Sequence, residues 1–305
     1  MKNNVCLAYI YAPDSRDRNL DEKINKIDFC KLTHIAIAFS QIKETDGFWT
    51  AYVTDEVRSG IIKIMNEIKR QNADTKVLLS VGGAGADGFC QASQTKQARK
   101  KFADSCLKLV DEFELDGIDL DWEFPGESVL KIQSCKHCKK DFLLLLDECR
   151  RQLKMKLLTI AVGSNRYFGI DVKNIGRLVD YVFVMTYDLG PMHSNIFLSK
   201  AFTSMWNILG VAKNKICIGV PFYGRNVKDL EKDTAFNNAK NGKITYFLGQ
   251  SFSDYYGNKY CFDTPSDVLR KGAWASRNGF GGIFCWEITG DCKNQMLTAM
   301  SESVK

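Results

Sequence analysis

The stretch Asp116-Gly117-Ile118-Asp119-Leu120-Asp121-Trp122-Glu123 holds three acids at alternate positions. Alternate side chains of a strand share a face, so as a strand it aims Asp119, Asp121 and Glu123 the same way. Such a row suits the exposed face of an antiparallel edge strand, or else a buried site with a task. The rest of the chain decides between them. Short apolar runs recur at Val5–Tyr11, Thr33–Phe39, Lys76–Val81, Gly117–Trp122, Leu157–Val162, Tyr181–Thr186, Lys215–Val220 and Gly282–Cys285. Helical patterns fall between them at Asp55–Arg70, Lys96–Phe113, Lys139–Leu153, Ala201–Leu209 and Ser266–Arg277, the last opening on Thr264-Pro265. Strands alternating with helices imply parallel βαβ units whose strands are buried on both faces. Eight is the number that closes a (β/α)8 barrel, the TIM barrel. A doubly wound open sheet is the alternative, because local patterns do not show closure.

In a buried parallel strand, ionised carboxylates without partners cost several kcal/mol each, roughly. A row of like charges also resists full ionisation, so at least one acid is expected to keep its proton near neutral pH. That is the condition for a general acid, and Glu123 comes at the strand end, where barrels place their chemistry. The acids therefore read as a reaction centre.

Composition narrows the class. The chain has 305 residues, 45% hydrophobic and 26% charged, with 42 Lys and Arg against 36 Asp and Glu, a net +6. Barrels of this length form one domain, and no linker or repeat divides the chain, so residues 1–305 are read as one unit. The basic residues are scattered, which argues against nucleic acid, and no apolar run reaches the roughly 18 residues a membrane span needs. The run from Val5 to Ala12 stops at Pro13-Asp14 and reads as a strand rather than a signal peptide. Eleven cysteines, an odd number spread from Cys6 to Cys292, read as reduced and mostly buried thiols, which points to the cytoplasm. The stretch from Asn226 to Phe262 breaks the rhythm and reads as an elaborated loop after the seventh strand.

The spacing Asp-x-x-Asp-x-Asp-x-Glu resembles the signature of glycoside hydrolase family 18, the chitinases and their relatives. Ser80-Val81-Gly82-Gly83, Met185-Thr186-Tyr187-Asp188, Pro221-Phe222-Tyr223-Gly224-Arg225 and Gly281-Gly282-Ile283-Phe284-Cys285-Trp286-Glu287 are similar, in order, to segments of its third, sixth, seventh and eighth strands. The resemblance implies an eight-stranded barrel acting on N-acetylglucosamine-containing oligo- or polysaccharides, with no metal or cofactor. It implies that Glu123 protonates the glycosidic oxygen, that Asp121 orients and charge-stabilises the acetamido group, and that Asp119 tunes Asp121 by sharing a proton. Tyr187 would hold the acetamido carbonyl, with Met185 and Asp188 beside it. Trp286 would floor the sugar subsite, Tyr9 and Phe39 would line its wall, and Gly83 and Tyr223 belong to the same substrate-binding set. The substrate's own carbonyl oxygen would serve as nucleophile. Many larger members carry a small extra domain after the seventh strand, and Asn226–Phe262 is too short for a full one. After Asp188 the chain reads Leu189-Gly190-Pro191-Met192-His193, a departure from the family's usual pattern.

Weaker signals count for less. Gly83-Ala84-Gly85-Ala86-Asp87-Gly88 matches a dinucleotide fingerprint, but Phe89–Ser93 is a poor helix start and Asp111 lies within a helical pattern rather than at a strand end. Cys135-Lys136-His137-Cys138 offers half a zinc site, and no second such pair completes it, so it reads as thiols at a helix start. His193 reads as a solvated loop residue. The expectation is a monomeric barrel that hydrolyses β-1,4-linked N-acetylglucosamine in chitin or chito-oligosaccharides. The alternatives are N-glycan cores or peptidoglycan as substrate, or a sugar-binding lectin on the same barrel.

Overall fold

The computed structural model describes residues 4–12, 20–71, 73–127 and 132–305. The Pro13-Asp14 turn expected after the first strand lies outside them. Eight strands form the barrel: β1 (Val5–Tyr11), β2 (His34–Thr45), β3 (Lys76–Gly82), β4 (Gly117–Asp121), β5 (Leu157–Gly163), β6 (Tyr181–Met185), β7 (Ile216–Pro221) and β8 (Gly282–Trp286). Each runs parallel to its neighbours in chain order, and β1 pairs with both β2 and β8, so the sheet closes. Closure removes the open-sheet alternative.

The alternation along β1 shows how the layers are built. Val5, Leu7 and Tyr9 point into the barrel with Ala36, Ala38, Leu78, Phe183, Cys217 and Phe284. Cys6, Ala8 and Ile10 point outward into a larger core shared with the helices. Helix Asp55–Arg70 is capped by Thr54, whose side chain accepts from the Val57 amide, and it buries Val57, Ile61, Ile64 and Ile68. Helix Pro265–Arg277 starts on a capping box between Thr264 and Asp267. Trp122 belongs to the outer core, stacked on Phe89 at 5.2 Å and edge-on to Phe142 at 5.6 Å.

Two antiparallel additions were not expected. β2 runs on through a turn at Asp46-Gly47 into a hairpin strand, Phe48–Tyr52. The segment read as an elaborated loop after β7 is a five-stranded sheet formed by Tyr223–Asn226, Asp233–Ala235, Lys243–Phe247, Gln250–Tyr255 and Asn258–Phe262. Phe89–Ser93, discounted as a helix start, is a short helix. Among the described residues no helix is long and apolar enough to cross a membrane.

Candidate active site

Register builds the floor of the site. Ser80, Asp119 and Thr159 sit level on the adjacent strands β3, β4 and β5. Asp119 Oδ2 accepts hydrogen bonds from Tyr9 and Ser80, both 2.8 Å, and Oδ1 accepts one of 2.6 Å from Thr159. Burial raises the Asp119 pKa, and the three hydroxyls pull it back only in part. The charge of Asp119 is among the causes that raise Asp121.

Two residues further along β4, Asp121 is 4% exposed, and its Oδ1 is buried without a hydrogen-bond partner among the described residues. Burial first, then the charges of Glu123 and Asp119, push its carboxyl well above the usual range. Glu123 follows just past the strand. Burial, reinforced by the charge of Asp188, lifts it from 4.5 to about 7. Cis peptide bonds follow Ala38, Glu123 and Trp286.

Asp188, just beyond β6, is the opposite case. Burial alone would raise it, but its neighbours outweigh burial and hold it at about 2, with the Arg225 guanidinium the cation among them. Its Oδ2 accepts from Tyr223 at 2.8 Å, and its Oδ1 accepts from Arg225 Nε and Nη2 at 3.0 and 2.7 Å. His193, read as solvated, is fully buried. Its Nδ1 accepts from the Asp188 amide at 3.1 Å and lies 3.2 Å from the Asp188 carboxylate. One nitrogen cannot be acceptor to the first and donor to the second at once. The amide is always a donor, so we assign the hydrogen bond to it.

These groups open on one cleft of about 990 Å³ at the C-terminal end of the barrel. Tyr9, Phe39, Asp121, Glu123, Met185, Tyr187, Asp188, Tyr223 and Trp286, all singled out in the sequence, line it, and Asp119 lies beneath. Phe39 stacks on Trp286 with ring centres 5.4 Å apart, and Tyr9 meets Trp286 at 5.8 Å, so three rings form one aromatic wall. Tyr187 is buried between Tyr223 and Phe284, and burial keeps its phenol protonated far above neutral pH. Gly219 makes room for it, since a Cβ there would lie 2.9 Å from the Tyr187 ring.

Gly83 is placed differently from the rest of the set. It is absent from the cleft lining, because the Phe39 ring fills the space a Cβ would need, 2.6 Å away, and its φ is +91°. Gly83 seats Phe39 between Gly82 and Ala84, which do line the cleft. Arg225, Tyr11, Gln41, Trp49, Asp87 and Asp233 also line the cleft and carried no assigned role in the sequence reading. The signal for Arg225 was present: on strand Tyr223–Asn226 it shares a face with Tyr223. Among the described residues the one set of three groups spaced to hold a metal is Cys90, Cys135 and Cys138, outside the cleft. Cys90 was missed because 45 residues separate it from Cys135, and only the fold joins them.

A closed (β/α)8 barrel with acids at its C-terminal mouth and an aromatic wall matches what the motif resemblance implied. The chain belongs to the glycosyl hydrolases family 18, whose model matches residues 7–291. It is 27% identical over 313 residues to Chitinase A1 of Niallia circulans, covering 80% of this chain and 44% of that protein. Its fold superposes on a family 18 N-acetylglucosaminidase from Paenibacillus barengoltzii with a TM-score of 0.82 and 27% identity, covering 99% of this chain and 100% of the other. A class V chitinase from Nicotiana tobaccum, solved with NAG4 as an E-to-Q mutant, has the same fold at a TM-score of 0.84 and 21% identity, over 98% of both chains.

Proposed function

We propose that the protein is a retaining glycosidase of chitinase type that cleaves β-1,4-linked N-acetylglucosamine in chitin or chito-oligosaccharides. One observation carries this reading: Glu123, which keeps its proton up to about pH 7, stands beside an Asp121 whose buried Oδ1 has no partner. A buried acceptor left unpaired calls for an explanation, and an acetamido N–H supplied by the substrate is one. In this reading Glu123 donates its proton to the glycosidic oxygen as that bond breaks. Tyr187 donates a hydrogen bond to the acetamido carbonyl, whose oxygen attacks C1. Asp121 accepts from the acetamido nitrogen and, releasing to solvent the proton that burial makes it hold, balances the positive charge that grows there; it takes a proton back when the intermediate opens. Water then opens the cyclic intermediate, and Glu123, now a carboxylate, takes the proton from that water. The likeness to Chitinase A1 and to the N-acetylglucosaminidase supports an N-acetylglucosamine substrate.

Incubation with defined chito-oligosaccharides, an N-glycan and muropeptides, followed by mass spectrometry, tests the substrate. Cleavage of the chito-oligosaccharides is expected. Products from N-glycan or muropeptide alone would move the substrate assignment, and binding without any product would mark a lectin. Two displacements at C1 leave its configuration unchanged, so proton NMR of the first product should show the β-anomer. An initial α-anomer would mean that water attacks directly.

The pH dependence has a definite sign. The proposed acid works protonated, so kcat/KM should fall as pH rises through about 7. Stability has the same direction. The folded chain holds this proton more tightly than the unfolded one, so the Glu123 contribution is full below about 4.5 and is lost as pH rises through about 7. A kcat/KM profile still rising at pH 8 would remove Glu123 as the acid.

A further inference from the structure

Outside the cleft, three cysteines that are far apart in sequence meet. Cys90 comes from the short helix Phe89–Ser93 after β3, Cys138 opens the helix Cys138–Leu153 after β4, and Cys135 lies in the loop just before it. The three sulfurs lie within 4.8 Å of one another, with Cys135 and Cys138 Sγ 3.2 Å apart. A tetrahedral zinc with Zn–S bonds of about 2.3 Å sets its sulfurs about 3.8 Å apart, inside that range. Cys90 and Cys138 are buried and Cys135 is half-exposed, so the trio has a dry floor and one open side. Two N–H groups already point at sulfur: the Cys135 amide donates to Cys138 Sγ at 3.3 Å, and Gln94 Nε2 donates to Cys90 Sγ at 3.7 Å. Donors of this kind support negative charge on metal-bound thiolates.

We propose that Cys90, Cys135 and Cys138 bind one zinc ion as thiolates, with a solvent-derived fourth ligand on the Cys135 side. The three thiols release their protons to solvent as the metal binds, and no electron is transferred. The Cys135–Cys138 spacing alone would also suit a disulfide, which would leave Cys90 without a role. The arrival of a third sulfur from another element favours the metal. The ion would act as a staple between two segments of the rim. The loop after β3 contributes Gly85, Ala86 and Asp87 to the cleft, and Asp87 Oδ1 already accepts from the Gly88 amide at 2.8 Å and from the Gln133 amide at 3.1 Å across the gap. The zinc would fix the same two segments, one before and one after, in chain order, the strand that bears Asp121. This inference does not depend on the proposed substrate.

The test uses the untagged 305-residue chain, purified in reducing buffer with added zinc and then dialysed against metal-free buffer. Elemental analysis should find about one zinc per chain, and Cys90→Ser and Cys135→Ser should each reduce it to background. The metal-free wild type, titrated with cobalt, should develop thiolate-to-cobalt charge-transfer absorption, which makes the outcome independent of whether a serine variant folds. Background zinc with no charge-transfer band in the wild type would overturn the proposal. So would zinc retained in full by folded Cys90→Ser, or a Cys135–Cys138 disulfide in the reduced preparation.

Discussion

Glu123→Gln is expected to lower kcat on chito-oligosaccharides at least about a hundredfold while sugar affinity and thermal stability stay near wild type, since general acids contribute on that scale. The amide keeps the size of the carboxyl and removes the proton donor. Asp121 and Asp188 would no longer face a carboxyl that can ionise, so the variant should fold without penalty. A double measurement separates the roles: kcat from product release with time, and affinity from titration calorimetry with the acetylated tetramer. A variant that fails to bind would report a broken cleft. Hydrolysis near the wild-type rate with intact binding would take Glu123 out of the chemistry and with it the proposed mechanism.

The second large effect concerns the substrate. If its own acetamido oxygen attacks C1, then cello-oligosaccharides and fully deacetylated glucosamine oligomers should stay uncleaved even where they bind. The geometry supports this expectation at Asp121 and Asp188, the two acids whose charges bear on Glu123 or are borne on by it. Two-carboxylate retaining enzymes set the nucleophile about 5–5.5 Å from the acid, on the opposite face of the sugar. Asp121 comes from the same strand end as Glu123 and approaches from the same side. Asp188 is ionised, but both its oxygens are held by Tyr223 and Arg225. Asp121→Asn should therefore lose at least about tenfold in kcat on the acetylated tetramer, because the partner of the developing cation is gone. Comparable rates on cellotetraose and on the acetylated tetramer would sink the substrate-assisted mechanism and the assignment of Asp121 together.

The barrel was legible because its strands are buried on both faces, so that short apolar runs mark them, broken in β4 by its acids. Helix Asp55–Arg70 was legible for a similar reason: its apolar spacing and its Thr54 cap agree. The inserted sheet was not. Lys243–Phe247 is exposed along its whole length; Ile244 and Tyr246 share a face and all four residues after Lys243 are β-formers, a signal that was not read as a strand. The hairpin after β2 did carry a signal, since Asp46 and Gly47 both take positive φ between Thr45 and Phe48, and Asp-Gly is a strong two-residue hairpin turn. In the site, the acids declared themselves by period, whereas burial of His193 and the approach of Cys90 to Cys135 are tertiary facts. Gly83 shows a subtler limit. The motif marked the residue correctly, but what the glycine admits is a neighbouring ring.

The clamp on Asp188 has a consequence beyond holding one side chain. Arg225 belongs to the inserted sheet and not to the barrel, yet it helps keep Asp188 anionic, and that anion helps keep the proton on Glu123. A cation on an accessory element thus helps to set, at one remove and with inverted sign, the acidity at which the proposed donor lets go. The inserted sheet and the barrel are for this reason not free to drift apart in sequence: a change in the first re-tunes the proton inventory of the second.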